Sequence, residues 1–191
     1  MKRKLISCTV LLCLFFELNA QTGVYKTYED YVAKKFEVTA DNVDFSESTF
    51  GTVIKFESAD GKTVKYKPKE MWGFLFKGNL FRTADNDITF VVETGKVCFY
   101  ENGTAHLRLL RTGGKFASFI RGTYSYISAD INSEIYKMPY GERGYYIIGA
   151  RKDYKEFMRK YPEHLPLYNC IDDTKDYTKV RACIKEYNGN N

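Results

Sequence analysis

The sequence predicts an α+β protein: a mainly antiparallel β meander, arranged as a barrel or a sandwich, with a short N-terminal helix and C-terminal helices. Three observations carry this. From Phe36 to Gly149, short runs rich in Val, Ile, Phe, Tyr and Thr follow one another. Turn signals separate them: Asp60-Gly61, Lys77-Gly78-Asn79, Thr94-Gly95 and Asn102-Gly103. Asp-Gly and Asn-Gly suit tight hairpins because their central residues tolerate positive φ. After Ala150 the apolar period changes from strand-like to helical.

Residues 1–20 stand outside the domain. Lys2, Arg3 and Lys4 precede the uncharged, largely apolar run Leu5–Phe16, and Leu18-Asn19-Ala20 offers a small residue for cleavage. This is the pattern of a secretory signal, too short for a membrane span. Leu5-Ile6-Ser7-Cys8 matches a lipoprotein box only superficially, because no apolar segment precedes the cysteine. Cleavage after Ala20 leaves 171 of the 191 residues, a length suited to a single β-rich domain, 21–191, with a helical segment at 151–188. Losing Lys2, Arg3, Lys4 and Glu17 lowers the formal charge from +5 to +3. The remaining charges alternate in sign, so a nucleic-acid partner is not expected. No later segment approaches the ~18 apolar residues of a membrane helix.

In chain order, Gln21–Lys35 opens with a short helix: Thr27 suits an N-cap with Asp30 three residues on, and Tyr28, Tyr31 and Val32 mark an apolar side. The expected strands are Thr52–Glu57, Thr63–Tyr66, Trp72–Phe76, Leu80–Thr83, Ile88–Val92, Val97–Glu101 and His106–Arg111. Phe116–Ile120, Thr123–Ile127, Glu134–Lys137 and Tyr145–Gly149 continue the series. Val53, Lys55 and Glu57 alternate with Ile54 and Phe56, a half-buried pattern. The run Tyr145-Tyr146-Ile147-Ile148 is apolar on both faces and is expected to be covered on both. Asp153 then caps a helix bearing Tyr154, Phe157, Met158 and Tyr161, which Pro162 ends. Leu165–Cys170 forms a second short helix or turn, with Pro166 restricting it. Asp173 or Thr174 caps a third, whose Val180, Cys183, Ile184 and Tyr187 fall at i, i+3, i+4 and i+7.

Cys8 and Cys13 leave with the signal, and Cys98, Cys170 and Cys183 remain, so at most one internal disulfide forms. Cys98 lies in a strand run and reads as a buried, inert thiol. Pairing Cys170 with Cys183 brings their Cα atoms within ~4.4–6.8 Å. Cys183 lies ~12 Å along its helix at ~1.5 Å per residue. The pairing therefore predicts that Cys170–Thr174 runs extended, back along that helix.

Catalytic chemistry finds little support. His106 and His164 are the only histidines and read as surface residues, and no His, Cys or carboxylate cluster has metal-ligand spacing. The G-x-S-x-G, H-E-x-x-H and phosphate-loop patterns are absent. Thr112-Gly113-Gly114-Lys115 reads as a strand connector. The carboxylate pairs Asp85/Asp87 and Asp172/Asp173 sit in a turn and at a cap. No catalytic residue, metal or cofactor is assigned. The aromatics remain, with sixteen Tyr, fourteen Phe and one Trp. Trp72 and Arg82, on neighbouring strands of the central hairpin, are the candidate binding residues. A guanidinium over the indole would contribute ~0.5–2 kcal/mol.

The segment DGKTVKYKPKEMWGFLFKGNLFR (60–82), with GVYKTYEDY after the signal and IKEYN near the end, resembles small exported bacterial proteins of unknown function. Their pattern is a DG turn, a lysine-rich strand, a WGF strand and an aromatic-Arg strand. The resemblance implies an exported bacterial setting, periplasmic or at the outer surface, and no catalytic residue. The sequence thus predicts a non-enzymatic envelope protein that binds a partner protein or surface component. The alternatives are a carrier of a small apolar ligand with a barrel cavity, and an envelope hydrolase.

Overall fold

The computed structural model describes residues 21–48, 51–113, 124–141, 149–172, 174 and 176–189. The fold is α+β, with mostly antiparallel sheets of eight and three strands and helices toward the C-terminus. Neither sheet closes into a barrel, which overturns the barrel form of the expected fold. The chain divides into two compact units, Met1–Phe81 and Arg82–Asn191.

In the first unit, β1 (Thr22–Tyr25) is flanked by β2 (Val38–Ala40) and β6 (Gly73–Phe76), both antiparallel to it. All four residues of β1 are buried. The segment opens on this strand, and one short helix, α1 (Tyr28–Val32), follows. The smaller sheet orders β3 (Asn42–Ser48), β4 (Gly51–Glu57) and β5 (Thr63–Tyr66). The alternation read from Thr52–Glu57 is realised: Thr52, Ile54 and Phe56 are buried while Val53 and Lys55 are half-buried. Phe56 meets Phe74 of β6 edge-on at 5.4 Å, and Phe74 stacks on Phe81 at 4.7 Å. Such ring pairs add ~0.5–1.5 kcal/mol beyond their buried area. Thr63, Val64 and Lys65 of β5 are exposed, and a lysine on an edge strand discourages unwanted strand pairing.

β7 (Asn79–Ala84) holds the division between the units. In the second unit β8 (Asp87–Glu93), β9 (Cys98–Asn102), β10 (Ser125–Ser128) and β11 (Tyr136–Met138) pair consecutively and antiparallel. α2 (Gly103–Thr112) follows β9 directly. The C-terminal helices are α3 (Ala150–Lys160), α4 (Leu165–Asp172) and α5 (Tyr177–Gly189). Val97 and Phe99 join Ile127, Tyr136 and Met138 in one core with Phe157, Leu167, Ile171, Val180 and Ile184 of those helices. Cys98, Tyr100 and Tyr126 form a second cluster. Successive strand residues point to opposite faces, so β9 is buried on both.

Several expectations are corrected. His106–Arg111 is not a strand, and Asn102-Gly103 is not a hairpin turn: Asn102 is the N-cap of α2, its side chain accepting from the Thr104 and Ala105 amides at 3.0 and 3.3 Å. The alternating Thr104/His106/Arg108 and Ala105/Leu107/Leu109 imitates a strand. Ala, Leu and Arg are strong helix formers, however, and the cap supplies the start. Gly113, φ 60°, ends the helix instead of connecting strands. Phe116–Ile120 and nearly all of Tyr145–Gly149 lie outside the described residues. Gly149, not Asp153, occupies the N-cap of α3. Pro162 does stop that helix and begins a 3-10 turn, Pro162–His164. Asp176 caps α5, accepting from the Thr178 amide at 2.8 Å, and Thr174 supports it by accepting from the Asp176 amide. Cys170 and Cys183 are joined, with Cα atoms 5.8 Å apart. Cys170 is still helical in α4, so the expected extended approach does not occur and the bond links two helices directly.

Gly103 gives a test of α2. A Cβ there would stand 2.6 Å from the backbone C and O of Ile88. Helix propensity favours Gly103→Ala by ~0.5–1 kcal/mol. The collision with fixed backbone costs ~1–3 kcal/mol. Denaturant melts of Gly103→Ala are therefore expected to show net destabilisation. A midpoint at or above wild type would mean that α2 does not pack this closely on β8.

Candidate functional site

In the first unit an aromatic patch is built on β1. Gly23 lacks the Cβ that would meet the Phe36 ring at 2.5 Å, which lets Phe36 lie against the strand. Tyr25 stacks on Phe36 with centroids 4.7 Å apart. Burial, with Tyr31 alongside, pushes the Tyr25 phenol above its usual value. The chain then enters α1 through a capping box: Thr27 Oγ1 accepts from the Asp30 amide at 3.2 Å, and Asp30 accepts from the Thr27 amide at 3.1 Å. This single turn aims Tyr28 and Tyr31 at Trp72. The Trp72 amide is fixed on the Tyr25 and Lys26 carbonyls at 3.0 and 2.9 Å. Trp72 stacks on Tyr31 at 4.5 Å, with planes 25° apart, and Tyr28 meets it at 5.6 Å and 45°. Tyr25, nearly fully buried, touches the indole edge-on. Tyr28, Tyr31 and Trp72 are each half-buried, and Val32 beside them is 61% exposed. No residue of α1 is fully buried, so this helix adds rings to a surface and not to a core.

In the second unit β9 divides two polar clusters. Arg82 is only 6% exposed, and burial lowers the pKa of its guanidinium, with Tyr100 and Cys98 opposing that shift. The Tyr100 hydroxyl lies 2.7 Å from Ser128 Oγ, which donates to the Asp130 carbonyl at 2.6 Å. Burial pushes the Cys98 thiol up, which makes this free thiol a poor nucleophile.

The other cluster centres on Glu101, 5% exposed. Its Oε2 lies 2.7 Å from His106 Nε2. Its Oε1 accepts from the Tyr177 hydroxyl at 2.6 Å and lies 3.4 Å from Arg181 Nε. Burial works to raise this carboxyl. The bonds from His106 and Tyr177 and the charge of Arg181 outweigh it and hold the group below its usual value. An ionised carboxylate only accepts, so Nε2 of His106 carries the proton. The His106 ring is also stacked on Phe90 at 4.1 Å. A carboxylate-oriented imidazole is one part of a hydrolytic site, and a nucleophile in its reach is another. Among the described residues the hydrogen bonds of Ser125 and Ser128 run to other partners, and Cys98 belongs to the other cluster. The Glu101 arrangement ties α2 and α5 to β9.

The structure thus places Trp72 in the first unit, among tyrosines, and Arg82 in the second, beside Tyr100. Cys170 and Cys183 are brought together. Neither histidine is a free surface residue, contrary to expectation. His106 binds Glu101, and His164 is 7% exposed, with Nδ1 2.9 Å from the Tyr187 hydroxyl. Sequence reasoning missed Glu101, His106, Tyr177 and Arg181. A signal existed: Glu101 ends the apolar run Val97–Tyr100, where a carboxylate is costly unless it is answered. Compared with protein-family models, curated proteins and solved structures, the chain matches none of them.

His164 generates a pH prediction. Burial among Phe157, Tyr161, Tyr168 and Tyr187 lowers its pKa from 6.5, with Glu163 opposing. A depressed histidine binds more protons unfolded than folded. Its contribution to stability is therefore complete above pH 6.5 and is lost as pH falls through the folded value. The thermal midpoint should drop between pH 7 and 5, and His164→Phe should flatten that drop. An equal drop in the variant would exclude His164 as its source.

Proposed function

We propose that this protein is an exported, non-enzymatic binding module of a bacterial cell envelope, and that Tyr28, Tyr31 and Trp72 form its recognition surface. The observation that carries the reading is the half-exposed Trp72, stacked on Tyr31 and flanked by Tyr28 on a helix that buries none of its residues. Large amphipathic rings held at low conformational cost are the side chains that dominate recognition surfaces. The capping box and the Trp72 amide bonds hold them in place before any partner arrives. Export is supported by the signal-like residues 2–20 and by the Cys170–Cys183 disulfide, a bond that persists in oxidising compartments. The partner is an envelope protein or a surface component. A carrier function would rest on a closed barrel, and neither sheet closes.

The test is capture of envelope material by protein purified from its own envelope, with its N-terminus determined. The wild-type chain should begin at Gln21 and sediment with envelope fractions, and Trp72→Ala should lose most of that association. Because Trp72 also packs on Tyr31, the melting midpoint of the variant is measured alongside, and Tyr28→Ala serves as a second variant. Undiminished capture by both variants, or an unprocessed Met1, would overturn the reading.

A further inference from the structure

We propose that Gln21, once signal cleavage makes it the first residue, closes on its own side chain to a pyroglutamyl lactam, so that the mature chain has a blocked, uncharged N-terminus. The proposal rests on the reading of residues 1–20 as a secretory signal cleaved after Ala20, and adds the chemistry of the terminus that this cleavage creates.

The reaction follows from the residue type. The side-chain amide carbon of a glutamine, Cδ, reaches its own α-nitrogen in an unstrained lactam ring. In the uncleaved precursor that nitrogen belongs to a peptide bond, its lone pair is delocalised, and it does not attack. Hydrolysis of the Ala20–Gln21 bond turns it into an amine with a pKa of about 7.7–8.0, part of which is unprotonated and nucleophilic near neutral pH. Its lone pair attacks Cδ. The N–Cδ bond forms, the Cδ–Nε2 bond breaks, and a proton of the amine leaves with Nε2 as ammonia. No oxidant, reductant or second substrate enters. The step that supplies this substrate is therefore a peptide hydrolysis, and it comes first.

The fold leaves the terminus open to this chemistry. Gln21 is exposed and lies just outside β1. The ladder begins one residue later, with Thr22 opposite Ala40 of β2 and Gly23 opposite Leu75 of β6. Thr22 is 6% exposed, and its Oγ1 accepts from the Lys77 amide at 3.4 Å. The strand is thus anchored from its first residue, and Gln21 stays at the surface instead of being drawn into the sheet. Ring closure uses only atoms of Gln21, so it breaks no bond of the ladder. Continuing the β1–β2 register by one pair places Asp41 opposite Gln21. The Asp41 amide is taken by the Glu57 carbonyl at 2.9 Å, and the residue is exposed. An exposed ion pair holds an ammonium only weakly, so Asp41 does not keep the amine from reacting.

The product suits the strand that follows it. All four residues of β1 are buried, and two of them, Gly23 and Tyr25, carry the ring surface of Phe36, Tyr31 and Trp72. A charged terminus directly before such a strand seeks water and pulls against its burial. A free amine is also the group that an aminopeptidase holds. The lactam removes both.

The test reads the terminus of the protein as its own cells make it. The envelope fraction is treated at once with formaldehyde and cyanoborohydride, which dimethylates free amines and stops later cyclisation. The purified chain is then digested with chymotrypsin, and the Gln21–Tyr25 peptide is weighed. The expected peptide lacks one ammonia and carries no methyl group. In Gln21→Ala the corresponding peptide should be dimethylated at residue 21. A dimethylated Gln21 in most molecules, or Gln21 blocked by an added group, overturns the proposal and leaves the cleavage site standing. A Gln21→Ala chain that is blocked as well overturns it too, because the block would not depend on the glutamine amide. A chain that begins at Met1 removes the export reading, and the proposal with it.

Discussion

A carboxylate taken out of water must be answered by donors, and Glu101 sets the terms on which the second unit is built. It sits on β9, the strand buried on both faces, and its answers come from two helices: His106 on α2, Tyr177 and Arg181 on α5. The opposite end of α5 is fastened to the start of the same strand. The Asn188 side chain accepts from the Val97 amide and donates to the Val97 carbonyl, both at 3.1 Å, and Tyr187 reaches His164. Between these ends Val180 and Ile184 fill the core, and Cys183 is bonded to Cys170. A disulfide closing a loop of this length contributes roughly 3 kcal/mol in the chain-entropy view. Removing Glu101 would take the shared acceptor from His106, Tyr177 and the half-exposed Arg181, and with it the tie of α2 and α5 to β9.

The first unit is organised on the same physical grounds with different groups. There the buried elements are rings: Phe56, Phe74 and Phe81 inside, Tyr25 and Phe36 beneath the surface, and Trp72, Tyr28 and Tyr31 at it. The rings form two groups, and in the outer one the buried Tyr25 touches Phe36, Tyr31 and Trp72 and gives the half-exposed rings a floor. Rings held in this way would lose little freedom on binding a ligand. The two units therefore divide the labour. Polar side chains in the second are spent on holding helices to a strand, and aromatic side chains in the first are presented outward.

What was legible in the sequence followed from period and punctuation. Thr52–Glu57 was readable because its alternation is clean, and Thr63–Tyr66 because Asp60-Gly61 marks the turn before it. The cap at Thr27 was readable because Asp30 stands at the right spacing. α2 was hidden because Ala105, Leu107 and Leu109 alternate with polar residues, and only the tertiary fit of Gly103 against Ile88 shows that Asn102 starts a helix. Trp72 was paired in sequence with Arg82, on the next strand of the hairpin. Its actual partners, Tyr25, Tyr28 and Tyr31, come from far along the chain, and no local pattern announces them. Glu101 was visible as a misfit in an apolar run, but the donors that justify it lie 5, 76 and 80 residues away. The Cys170–Cys183 pairing was legible from cysteine number and the reach of the chain between them. The route between them was not, because two packed helices can bring the Cα atoms to 5.8 Å without an extended arm.

Photo-crosslinking in intact cells of the source organism tests the division of labour most directly. A benzophenone amino acid replaces Tyr28 in one variant and the exposed Lys185 of α5 in another. The account predicts a high-mass adduct from position 28 and none from position 185. An adduct from position 185 alone, equal adducts from both, or none from either would contradict it.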